Sequence, residues 1–165
     1  MSHIRFSVLA VAALVLAGAF SMTALSQELL TQKVISMDVA QYMAQAAIMQ
    51  CRADGYRVSA TILDNGGNIK VVIRDDGAGL GTLDISRRKA YSALIFRRTS
   101  GETAKAFGAM SPPPIVEGTI MLAGGVPIKV GGDVIGAIGV SGAPGGDKDE
   151  VCANAGIAKV AEKLK

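Results

Sequence analysis

Seven glycines fall within the nineteen residues from Gly124 to Gly142, in a stretch that otherwise reads as two β-strands joined by a Gly131-Gly132-Asp133 turn. Glycine weakens a strand interior and offers nothing to pack. Its repeated use there means that another backbone, a helix or a ligand comes close. Val126, Ile128, Val130, Val134, Ile138 and Val140 make one face apolar, while Ile135 and Ala137 add apolar side chains to the other. The last strand is therefore expected to be covered on both sides. Two occupants stay open for the floor formed by Gly124, Gly125, Gly136, Gly139 and Gly142: a helix packed against the hairpin, or a flat ligand lying on backbone. A phosphate cradle is not indicated, because neither G-x-G-x-x-G opening a helix nor G-x-x-x-x-G-K-[ST] occurs.

The N-terminus reads as an address. Ser2, His3 and Arg5 precede a thirteen-residue apolar run from Val8 to Phe20, and Ala24-Leu25-Ser26 supplies small residues for a signal peptidase. The run is shorter than the ~20 residues that span a bilayer. Cleavage is expected before Gln27, leaving residues 27–165 as one domain of 139 residues in the periplasm or outside the cell, with no stable membrane insertion. Loss of Arg5 takes the formal net charge from +3 to about +2, too little for a nucleic-acid footprint. His3, the single histidine, leaves as well, and with it any His-based triad, zinc site or haem ligation in the mature chain. Cys51 and Cys152 remain, in predicted helices near the two ends of the domain. Outside the cytoplasm they form either one disulfide or two buried thiols.

From Ser36, a capping residue followed by Asp38 in the first turn, a helix with a broad apolar side (Val39, Met43, Ala46, Ala47, Met49) runs to Gly55. Val58, Ala60 and Ile62 alternate with Arg57, Ser59 and Thr61, which predicts a half-buried strand. Asp64 to Asn68 is turn chemistry, and Ile69, Val71 and Ile73 form the return strand. A glycine-rich loop leads to a helix over about Thr82 to Arg97. Thr99 with Glu102 then signals a capping box for a short helix through Phe107. Ser111-Pro112-Pro113-Pro114 is an extended connector. A strand at Thr119 to Leu122, the glycine hairpin and a helix from Asp147 to Leu164 complete a single α+β domain with a mainly antiparallel sheet of five strands.

Three groups of residues could carry chemistry. Asp75-Asp76-Gly77 leads to Arg87-Arg88-Lys89, where a ~100° step per residue prevents all three basic side chains from sharing one solvent face. At least one lies along the sheet or in a cleft, and Asp84 with Arg88 is spaced as an i, i+4 pair. The glycine floor is the second group. Asp147, Asp149 and Glu150 are the third: three acids that suit a helix start, or alternatively an exposed metal site whose metal the sequence does not name. Ser141 between glycines does not match G-x-S-x-G and has no histidine to activate it. The five methionines of the mature chain read as core filler.

The glycine hairpin, Asp64-Asn65-Gly66-Gly67-Asn68, Asp76-Gly77-Ala78, Arg88-Lys89-Ala90 and Asp149-Glu150-Val151-Cys152-Ala153 together resemble the GlcG/HbpS-like family, from about Leu30 to the C-terminus. That resemblance implies an αββααβββα order and an exported haem- or tetrapyrrole-binding accessory protein, a carrier, scavenger or sensor component rather than an enzyme. The macrocycle would lie on Gly124, Gly125, Gly136 and Gly139, with its propionates at Lys89 and Arg87 or Arg88. Without a histidine, an axial ligand would come from Met110, Met121, Tyr91, a cysteine or a hydroxyl. Two other readings come with the same family: a small carboxylic acid bound or transformed between Asp76 and Lys89, and a ligand-free subunit of a homo-oligomer.

Overall fold

A computed structural model describes residues 29–111, 113–114 and 116–165. The export segment expected at 1–26 lies outside them. Residues Lys33–Lys165 form one compact unit. Its elements run α1 (Met37–Ala53), β1 (Ser59–Asp64), β2 (Ile69–Arg74), α2 (Thr82–Phe96), α3 (Ser100–Gly108), β3 (Gly125–Val130), β4 (Asp133–Ser141) and α4 (Gly146–Lys159), then a short 3-10 turn at Ala161–Lys163. The start signals hold where the sequence places them. Ser36 caps α1 by accepting from the Val39 N–H, and Thr99 and Glu102 form the reciprocal capping box of α3. Asp64 Oδ1 accepts the N–H groups of Gly66 and Asn68, each at 2.9 Å, which closes the β1–β2 hairpin.

Among the described residues the sheet has four strands in the order β2-β1-β4-β3, all antiparallel, rather than the expected five. The missing strand is Thr119–Leu122, whose backbone groups find side-chain partners instead of a sheet edge. Arg88 donates twice to Thr119 O, and Ser100 Oγ donates to Leu122 O. Ser92 Oγ donates to Ile120 O and accepts from Ile120 N. The segment is thereby laced to α2 and α3 as an irregular strap.

One face of the sheet packs on α1 and α4, burying Met43, Ala47, Ile62, Ile128, Ile138, Val140 and Cys152 in the main core. The opposite face packs on α2 through a smaller cluster of Leu63, Ala90, Ala93 and Ala137. Strand β1 is consequently buried on both sides, not half-buried as its alternation predicts. Its polar residues face α2 and are satisfied there, Ser59 Oγ by Thr82 Oγ1 and Thr61 Oγ1 by Ser86 Oγ, both at 2.8 Å. Hydroxyl pairs of this kind let a strand that looks amphipathic sit inside a three-layer fold. Strand β2, at the sheet edge, is the exposed one.

The glycine hairpin is the seat of α2. Gly125 and Gly139 are cross-strand partners. A Cβ on Gly139 would lie 2.0 Å from Ser86 O, and one on Gly125 would lie 2.0 Å from Lys89 O. The helix backbone itself therefore occupies the floor. At Gly136 the neighbour is Leu63 O of β1, 2.3 Å from an added Cβ. Of the two occupants open from the sequence, the packed helix is the one realised, so Gly125 and Gly139 present no free surface to a macrocycle.

Cys51 and Cys152 are joined, with Cα atoms 5.6 Å apart, which ties the end of α1 to α4. The bridge spans 101 residues of sequence, and closing a loop of that length restricts the unfolded chain by about 4–5 kcal/mol. Reduction should lower the unfolding free energy by about that amount, read as the difference in urea midpoint with and without dithiothreitol. Gly139→Ala should cost about 3 kcal/mol by lifting α2. Gly132→Ala, at the open turn where an added Cβ meets nothing within 4 Å, should stay within about 0.5 kcal/mol. Equal midpoints for the two glycine variants would contradict the seat.

Candidate functional site

The loop after β2 is anchored before it reaches α2. Asp75 is buried, its side chain 1% exposed, and it accepts two hydrogen bonds from the Arg52 guanidinium at 2.9 and 2.5 Å, with Arg57 at 4.0 Å. That Arg52 hydrogen bond holds the Asp75 carboxyl below the usual carboxylate range. Asp76, the residue singled out from the sequence, is exposed. Gly77 and Gly81, both at φ 80°, then turn the chain into α2, a conformation that favours glycine.

The three consecutive basic residues diverge, as helix geometry requires. Arg87 pairs with Asp84 at 3.0 Å on the solvent side. Arg88 reaches the strap at Thr119 O, with Asp84 at 3.8 Å. Lys89 turns inward, is 3% exposed, and donates to Asp149 Oδ2 at 2.7 Å. The set named from the sequence is therefore split: Lys89 meets Asp149, not Asp76, and neither arginine shares its site. The three acids at the start of α4 separate in the same way. Asp149 is buried and also accepts the Ala143 N–H at 3.0 Å. Burial pushes the Glu150 carboxyl above the usual range, against the opposing pull of Thr99 and the Gly124 N–H. Among the described residues no group of three acidic, histidine or cysteine side chains could hold a metal ion.

Around the Lys89–Asp149 pair lies a cleft of about 380 Å³, bounded by Thr82, Leu122, Ser141, Gly142 and Gly146. Gly124 adjoins it: a Cβ there would fall 3.0 Å from Lys89 Nζ and 2.7 Å from Val140 O. Burial pushes the Asp149 carboxyl up, against the opposing pull of Lys89 and the Ala143 N–H. Ser141 and Asp149 are the residues that sequence reasoning missed as members of this site. Asp149 carries the signal of a helix-start acid, and its partner lies 60 residues away.

A second concavity, a groove of about 620 Å³, runs along the outer side of α1 and α4. Ala46, Ala53, Ala155 and Ala158 line it, with Tyr42 and Met49 at its margins. Those two side chains are 57% and 60% exposed. The side chains that the sequence offers for an axial bond lie elsewhere. Tyr91 is wedged between Gly67 and Gly118, within 3.3 Å of an added Cβ at each. Met110 follows α3 in the open, and Met121 lies in the strap.

Removing one member of a buried ion pair strands the other charge. Asp149→Asn should therefore cost about 3–5 kcal/mol, and a Lys89→Met, Asp149→Leu double substitution should recover much of that loss in urea unfolding at neutral pH. The acid limb tests Asp75. Its depressed carboxyl contributes stability above the ordinary carboxylate range, and that contribution is lost as pH falls through the depressed value. Asp75→Asn should therefore lower stability at neutral pH and flatten its fall on acidification.

The sequence matches the family described as haem degrading protein HbpS-like over residues 35–158. An uncharacterized 15.0 kDa protein of the dhaT–dhaS intergenic region of Citrobacter freundii is 33% identical over 125 residues, 71% of this chain and 84% of its own. Protein GlcG of Escherichia coli K12 is 30% identical over 112 residues, 67% of this chain and 84% of its own. The crystal structure of a double mutant of Streptomyces reticuli HbpS superposes with a TM-score of 0.76 at 37% identity, covering 80% of this chain and 90% of that one. With α1, the whole sheet, the glycine seat and the Lys89–Asp149 pair all inside the matched span, the chain belongs to the HbpS-like family.

Proposed function

We propose that this chain is an exported haem- or tetrapyrrole-binding accessory protein, a carrier, scavenger or sensor component, that takes the macrocycle against the groove between α1 and α4. The observation that carries the reading is this groove in a member of a family described as haem-degrading. Its volume, about 620 Å³, falls in the range of small-molecule sites, and its four alanines, beside Gln45 and Gln50, give a largely apolar surface to set against a ring face. The donor chemistry fits. A tyrosine phenolate and a methionine thioether are both established haem ligands, and Tyr42 and Met49 stand exposed at the groove. Cys51 and Cys152 are committed to their disulfide. Lys159 at the groove and Lys163, 5.9 Å above the Tyr42 ring, supply cations for propionates.

Haem would bring an iron centre able to exchange electrons or hold a small ligand. The protein's part is to bind the ring, order its carboxylates and shield one face from water. Export belongs to the same reading and rests on the N-terminal address. A disulfide between α1 and α4 suits an oxidising compartment. Self-association belongs to it as well, supported by the exposed edge strand β2 with Ile69 and Val72 about half exposed.

Haem titration of residues 27–165 should give a saturable, shifted Soret band at stoichiometric ratio. Tyr42→Phe or Met49→Leu should change that band, whichever donates, and Ala46→Glu should weaken uptake at least tenfold by closing the groove. A spectrum indistinguishable from free haem would sink the proposal. N-terminal sequencing of the exported protein should begin at Gln27. Light scattering should show a mass above one protomer.

A further inference from the structure

The cleft beside Lys89 and Asp149 holds more hydrogen-bond donors than its own walls accept. An ammonium carries three N–H donors. Asp149 Oδ2 takes one of those on Lys89, and among the described residues no other acceptor is hydrogen-bonded to Nζ. Ser141 is 5% exposed, and its hydroxyl has no hydrogen-bond partner among the described residues. Every fully buried side-chain polar atom among those residues is satisfied, so this Oγ opens onto the cleft that Ser141 lines. Register agrees. Ser141 lies opposite Ser59, cross-strand partners point to one face, and Ser59 faces Thr82 of α2.

A third contribution comes from α4. Gly146 is both its first residue and part of the cleft wall, so the positive end of a fourteen-residue helix adjoins the same space. Ile85, Leu122, Ala123 and Ala143 close the rest with apolar surface. Asp149 sets the limit on charge. Its carboxylate offsets Lys89, so a single negative charge is held by the helix end and the free donors, whereas a second would meet Asp149 without compensation.

We propose that this cleft binds a small aliphatic monocarboxylate, whose oxygens accept hydrogen bonds from Lys89 Nζ and Ser141 Oγ at the N-terminal end of α4. The site is separate from the groove on the outer side of α1 and α4, so it stands or falls independently of haem binding.

Isothermal titration of residues 27–165 with acetate, lactate and pyruvate at neutral pH tests it, with phosphate and lactamide as comparators. At least one carboxylate should bind saturably. Its affinity should fall about tenfold in Ser141→Ala, the loss expected for a hydrogen bond to a charged acceptor, while the unfolding midpoint and the haem titration of that variant match the unsubstituted protein. Lactamide should bind at least tenfold more weakly than lactate. Saturable binding by none of the three acids, equal binding of lactamide and lactate, phosphate binding tighter than every carboxylate, or unchanged affinity in Ser141→Ala would each overturn the proposal.

Discussion

Contact between the backbone of α2 and the β3–β4 hairpin organises this protein. A helix normally rests on a sheet through side chains; here Gly125 and Gly139 remove them on the sheet side, and carbonyl oxygens of α2 take the space. The consequence falls on the residues the helix must present. At such close range Ser86 and Ala90 fit because they are small. Lys89, between them, is carried into the interior. An ammonium taken out of water needs a partner of opposite charge, and Asp149 in the first turn of α4 meets it at 2.7 Å. Sheet glycines, buried lysine and inward-turned aspartate are thus links in one chain of cause.

The two faces of the sheet hold their helices by different means. On one side α1 and α4 share a large apolar core and a covalent bridge. On the other, α2 rests on a small cluster of alanines and a leucine, reinforced by hydroxyl pairs and by the strap at Thr119–Leu122. Both concavities follow from this asymmetry. Alanine-rich surfaces of α1 and α4 leave the outer groove, while the crowded seating of α2 leaves a polar cleft at its edge, where the ends of β4 and α4 come together.

Local chemistry was legible in the sequence. Ser36, the Thr99–Glu102 box and the Asp64–Asn68 turn each act within four residues, so their signals need no knowledge of the rest of the chain. Thr119–Leu122 reads as a strand because its residue types suit one, yet Arg88, Ser92 and Ser100 compete for the same backbone groups from distant helices. Ser59 and Thr61 read as a solvent face because hydroxyls usually seek water, and only a helix placed above them reveals the partners they use instead. The sequence points to Asp76, yet the buried and paired member of that dipeptide is Asp75.

By itself the sequence determined the caps, the tight turns, the need for something to approach the glycine hairpin closely, and a family resemblance carried by short motifs. These are statements about backbone conformation over a few residues, where side-chain size and hydrogen-bonding capacity leave little choice. Tertiary structure decided that the approaching element is α2, that Lys89 belongs to Asp149, that Ser141 opens beside them, and that the two cysteines meet. Each of those outcomes joins residues far apart in the chain. Their distance is set by how three layers pack around one sheet, which no local pattern encodes.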